Sequence, residues 1–105
     1  MVTSAAWEQL PETLVHGGIR RKRFDTVGMT VLRYEFPPNA VFPRHGHAEP
    51  QVTVVLEGAL TFDYGDAATS HRAGDIISIP GDQPHEGRAG DSGAVILCLF
   101  APPRA

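Results

Sequence analysis

Eleven glycines and nine prolines are spread through 105 residues, and they cut the chain into pieces too short for sustained helical periodicity. Between the breaks the chain is rich in Val, Ile, Leu, Thr and aromatic residues, the side chains that suit a pleated, half-buried surface. The clearest such segments are residues 29–36 (MTVLRYEF), 52–56, 59–64, 75–79 and 94–100. Turn chemistry separates them at Pro37-Pro38-Asn39, Glu57-Gly58, Gly65-Asp66, Ala73-Gly74-Asp75, Pro80-Gly81-Asp82 and Gly90-Asp91-Ser92-Gly93. The pattern predicts an all-β barrel or sandwich. Residues 5–14 hold at most a helical turn, because Pro11 interrupts them. No repeat or linker asks for a second domain, and the length suits one core. The expected layout is an N-terminal arm and first strand over residues 1–28, a barrel over 29–100 and a tail over 101–105.

Charge narrows the partners. The formal net charge is −3, and the one basic cluster, Arg20-Arg21-Lys22-Arg23, sits in an otherwise mildly acidic chain. It reads as a solvated strand or loop whose charges discourage edge pairing, so no nucleic-acid partner is expected. The single cysteine, Cys98, excludes an intramolecular disulfide and suits a reducing compartment. The segment MVTSAAWEQLPETL has no apolar signal-like core and no run reaches membrane-spanning length, so the expectation is a cytoplasmic protein without a membrane partner.

The stretch PRHGHAEPQVTVVLEG, residues 43–58, carries the chemistry. In an extended chain residues of like parity share a face, so His45, His47 and Gln51 would point the same way. Pro50 permits this near a strand start, with a local kink. A fourth candidate, His85, follows the turn at Pro80-Gly81-Asp82. These spacings resemble the two motifs of the cupins, small jelly-roll barrels of the double-stranded β-helix type. His45, His47, Gln51 and Gly58 match the first motif, with Asn39 where its leading glycine belongs. Gly74, Pro80 and His85 match the second, with Asp82 and Ala89 in place of its inner glycine and final asparagine. The resemblance implies that His45, His47, Gln51 and His85 bind one divalent transition metal, nickel, manganese, zinc or iron, inside the barrel. The alternative is a metal-free cupin whose histidines are solvated or satisfied by the core.

Gln51 stands where most cupins carry glutamate. Neutral ligands leave the full divalent charge uncompensated, which disfavours a metal that must be oxidised and strengthens a Lewis acid. That points to isomerase, lyase or hydration chemistry on an oxygen-rich anionic substrate. A closer resemblance, in order along the chain, is to the pectin-degradation cupins that linearise 4,5-unsaturated monouronates. It rests on Trp7-Glu8 with Leu10, on Gly18-Ile19-Arg20-Arg21-Lys22, and on Phe100-Ala101-Pro102-Pro103-Arg104. It implies catalytic positions at Cys98, Phe100 and Arg104, with Cys98 standing where those relatives have aspartate.

Each of these residues also has a plainer role. Cys98 can be a small buried hydrophobe, Phe100 a pocket wall, and Trp7 a plug or dimer contact. His16 and His71 are expected in solvent, and Glu86 and Arg88 facing away from His85. The expected partners are a small-molecule substrate, a sugar acid first, and a second copy of the chain in a homodimer. Three rival functions stay open: a polyketide cyclase or carbon–carbon lyase, which an apolar cavity would favour; a non-enzymatic metabolite sensor; and a dioxygenase.

Overall fold

Alternation decides which side of each strand meets the core. In the computed structural model, which describes residues 1–103, strand β3 (Thr30–Phe36) buries Thr30, Leu32, Tyr34 and Phe36 and turns Val31, Arg33 and Glu35 outward. Strand β8 (His85–Phe100) does the same with Ala94, Ile96, Cys98 and Phe100. This two-residue period is the signature of a sheet with one buried face.

Two long strands make the barrel. β5 (Gln51–Asp63) and β8 pair antiparallel along their lengths, from Gln51 opposite Phe100 to Asp63 opposite Glu86. Their register shifts between Val55 and Leu60, where each strand bends out of one half of the barrel and into the other. The bend needs glycine. Gly58 (φ 73°) and Gly93 (φ 78°) hold left-handed conformations, and a Cβ on Gly58 would overlap the Gly93 carbonyl. On one side of the bend lie β2 (Arg20–Asp25), β3 and β7 (Ile76–Ile79); on the other lie β4 (Val41–His45) and β6 (Ala68–Arg72). A two-residue strand, β1 (Thr13–Leu14), extends β2. Side chains from both halves, among them Leu32, Leu60, Phe62, Ile79 and Ile96, form one buried cluster. The result is an all-β jelly-roll barrel.

Segments 52–56 and 59–64, expected as two strands, are one, because Glu57-Gly58 bends the ladder without ending it. Segment 94–100 is likewise the second half of a longer strand that starts at His85. The basic cluster is strand β2, with Arg20 3.6 Å from Glu35 and Arg23 2.8 Å from Asp25. β4 contains Pro43 and pairs with β8 alone among the described strands, the edge position at which proline is tolerated. A 3-10 turn at Trp7–Gln9 stops before Pro11. Trp7 is half-buried, and Lys22 Nζ donates to its carbonyl at 2.8 Å. Among the described residues no helix is long and apolar enough to cross a membrane.

Candidate metal centre

The register of β4 against β8 sets His45 opposite His85 at one mouth of the barrel. Residues 46–50 then leave the extended conformation, so shared parity is not what joins His45, His47 and Gln51. The loop instead crosses from one half of the barrel to the other and carries His47 over the gap. Gln51 begins β5 on the far side, paired with β7. Two contacts pin this loop. The backbone N–H of Asp82 donates to the His47 carbonyl at 2.7 Å. Gly81 sits so close to Ala48 that a Cβ there would overlap the Ala48 carbonyl. The turn that precedes His85 therefore holds the loop that bears His47.

Each imidazole is fixed in the same tautomer. Nδ1 of His45, His47 and His85 lies 3.0, 2.7 and 2.8 Å from the carbonyl oxygens of Pro43, Glu49 and Gln83. A carbonyl only accepts, so each Nδ1 carries the proton and each neutral ring keeps a bare lone pair on Nε2. A phenyl ring braces each one: Phe42 against His45 at 4.8 Å, Phe100 against His47 at 5.3 Å, and Phe62 against His85 at 5.8 Å between centroids. One nitrogen from each of the three histidines lies within 4.8 Å of the others.

The donor set fits a divalent ion. Gln51 Oε1 is 2.9 Å from His47 Nε2, and with this tautomer both atoms are acceptors. Two facing lone pairs repel unless a metal ion or a second ring proton is shared between them. Their separation is also the span of two donors at a right angle about an ion with bonds of about 2.1 Å. Neutral imidazole nitrogens and an amide oxygen suit nickel, manganese, zinc or iron alike.

Cys98 and Phe100 both point inward from β8. Thr53, which sequence reasoning passed over, lies opposite Cys98 in the β5–β8 ladder and is fully buried. Arg104 lies outside the described residues. Beside the histidines lies a small cavity of about 30 Å³, lined by His45, Gln51, His85 and Cys98 together with the rings of Tyr34, Phe36, Phe42, Phe62 and Phe100. Inward parity on β3 and β5 could have singled out Tyr34, Phe36 and Phe62. Phe42 carried no such signal, because its segment contains Pro43 and did not read as a strand.

Two side expectations change or hold. His71 is half-buried rather than solvated, with Nε2 2.8 Å from the Thr69 hydroxyl. His16 is exposed but stands edge-on to Phe42 at 4.8 Å. Glu86 is half-buried and Arg88 exposed, next to a buried His85, so neither shares its inward face.

An all-β jelly roll with three converging imidazoles at one mouth defines a small barrel protein built around a histidine cluster. The family profile described as Cupin domain matches residues 32–100, from the third residue of β3 to the end of β8. The chain belongs to the cupin family. Solved structures it is similar to include an RmlC-like cupin from Shewanella frigidimarina, 23% identical over 95% of this chain and 90% of that one, TM-score 0.85. KdgF from Halomonas sp. is 24% identical over 92% of each chain, TM-score 0.83. The polyketide cyclase RemF from Streptomyces resistomycificus is 19% identical over 96% of this chain and 80% of that one, TM-score 0.85. At such identities the likeness establishes the fold. No curated protein matches the sequence.

Proposed function

We propose that this cupin is a metal-dependent enzyme of the isomerase or lyase kind, acting on a small oxygen-bearing substrate with a flat, apolar body. The observation that supports it is the cluster of three carbonyl-locked histidines, two of which, His45 and His85, line a cavity walled by five aromatic rings. A divalent ion held by His45, His47, His85 and Gln51 would supply Lewis acidity toward a carbonyl or hydroxyl oxygen of the substrate. The chain itself supplies the rest. The phenyl rings of Phe36, Phe42, Phe62 and Phe100 would shield the site from water and present an apolar wall to the substrate. No carboxylate, lysine or arginine is among the described residues that line the cavity, so apart from the ion itself its walls are uncharged.

That lining moves the substrate away from a sugar acid and toward the cyclase or carbon–carbon lyase reading. Ring opening of an unsaturated monouronate is kept as a second reading, supported by the ordered resemblance from Trp7 to Arg104. It would require a cation for the uronate carboxylate, and Arg104 is the residue for that task.

The two are separated by one experiment. The metal-loaded chain is mixed with an aromatic β-diketone and, in parallel, with 4,5-unsaturated galacturonate, with His85→Ala as the control. The expected result is a shifted ultraviolet band of the diketone that His85→Ala abolishes, and no loss of the uronate absorbance. Consumption of the uronate above the buffer rate would reverse the order of the readings. A parent protein that retains less than about a tenth of an equivalent of metal after purification would remove both, because imidazole-rich sites hold their ion tightly.

A further inference from the structure

The Gln51 side chain poses a problem that the metal reading leaves open. An amide has an oxygen and a nitrogen end of nearly equal size, and only the oxygen can ligate an ion. Something must tell the two ends apart. Gln51 is 5% exposed, so water does not do it.

Behind the amide stand two polar groups that the inward faces of β5 and β8 bring together. Thr53 follows Gln51 by two residues on the same face, and Cys98 is its cross-strand partner. Gln51 Nε2 donates to Thr53 Oγ1 at 2.9 Å and to Cys98 Sγ at 3.7 Å, a length normal for a sulfur acceptor. Thr53 Oγ1 in turn lies 3.5 Å from Cys98 Sγ. A hydroxyl can donate or accept. With sulfur available to take its proton, the Thr53 oxygen keeps a lone pair for the amide. The two amide hydrogens then have two acceptors, both on the side away from the histidines. Thr53 is wholly buried, a place where an unpaired hydroxyl is costly.

We infer that Thr53 and Cys98 form a socket for the Gln51 amide nitrogen, so that position 51 presents oxygen and not nitrogen to the three imidazoles. Thr53 is thereby a positioning residue of the centre, and Cys98 has a role other than that of an acid or base. The inference rests on the metal reading of the histidine cluster.

The test uses the full-length chain stripped of metal with a chelator. Cobalt(II) is titrated in competition with a chromophoric chelator, and the visible spectrum of the bound ion is recorded. Thr53→Val removes the acceptor at nearly constant volume and is expected to weaken cobalt binding about 10–100-fold, as loss of an outer partner of a ligand does, and to change the spectrum. Thr53→Ser keeps the hydroxyl and should bind within about threefold of the parent. Thr53→Ala should repeat the loss, which keeps the test valid if valine disturbs packing. In a Gln51→Ala background Thr53→Val should add no further loss, because the amide it positions is gone. Unchanged binding in both Thr53→Val and Thr53→Ala overturns the inference while leaving the metal reading intact. So does an equal loss with and without Gln51, which would mark a general structural effect. A parent that binds no cobalt overturns both together.

Discussion

Asn39 and Asp82 hold φ values of 61° and 62°, in the left-handed region that non-glycine residues enter at a cost. Both are positions where the cupin motifs carry glycine and this chain does not, so the departures in sequence preserve the backbone they seem to break. Asn39 is the third residue of a turn closed by Ala40 N–H on the Pro37 carbonyl at 3.1 Å, a geometry that asks for positive φ there and accepts proline before it. Asp82 sits in the turn that pins His47. Asn and Asp tolerate this region better than other side chains do. Asn39→Gly and Asp82→Gly should therefore leave stability within about 0.5 kcal/mol of the parent, whereas Asn39→Ala and Asp82→Ala should each cost about 1–2 kcal/mol. Urea denaturation monitored by fluorescence would measure both. Equal effects of glycine and alanine would show that side-chain contacts, not φ, decide these positions.

The bent ladder of β5 and β8 governs the next scale. Both strands keep pairing through the bend because Gly58 can lie against the Gly93 carbonyl, and Gly93 against the Phe36 carbonyl, without a side chain between them. Gly58→Ala puts a methyl group against the Gly93 carbonyl at positive φ, so a loss of more than about 2 kcal/mol is expected, with destabilised rather than merely shifted unfolding curves. A second element-level effect lies at the β2–β3 turn. Asp25 accepts from Arg23 Nε at 2.8 Å and from the Thr30 hydroxyl at 2.7 Å. Those bonds, Arg23 first, hold its carboxyl below the usual carboxylate range. The folded chain thus prefers the ionised form. The stabilisation is present above the pH at which an unfolded aspartate titrates and fades as the pH falls through the lower folded value. The melting temperature of Asp25→Asn should lie below that of the parent near about pH 6 and converge with it near about pH 2 to 3. A gap that stays constant over this range would mean that the charge of Asp25 contributes nothing.

Across the whole molecule the histidine cluster joins the two halves of the barrel: His45 and His85 come from one, Gln51 from the other, and His47 from the loop between them. An ion held by that set would bind the folded chain alone, and at about 100 times its dissociation constant it should add about 2.7 kcal/mol of stability. Calorimetry is expected to show a melting temperature roughly 10 °C higher with metal than with chelator, and no difference in His85→Ala. A parent insensitive to both additions would place the donors too far apart to share an ion. The residue types alone determined a good deal: turn chemistry and alternation specified an all-β chain, and resemblance to the cupin motifs singled out His45, His47, Gln51 and His85 as candidate ligands, since both signals are read over a few residues at a time. The parity used to align three of those donors did not operate, because residues 46–50 turn away from a strand. Only the tertiary structure decided how the donors meet, which ring nitrogen each histidine frees, that Thr53 and Cys98 lie behind Gln51, and that the cavity is aromatic. Those features depend on the register between strands more than thirty residues apart, such as Thr53 opposite Cys98. Local sequence preference carries no term for such a pairing; it exists only once the barrel has closed on its core.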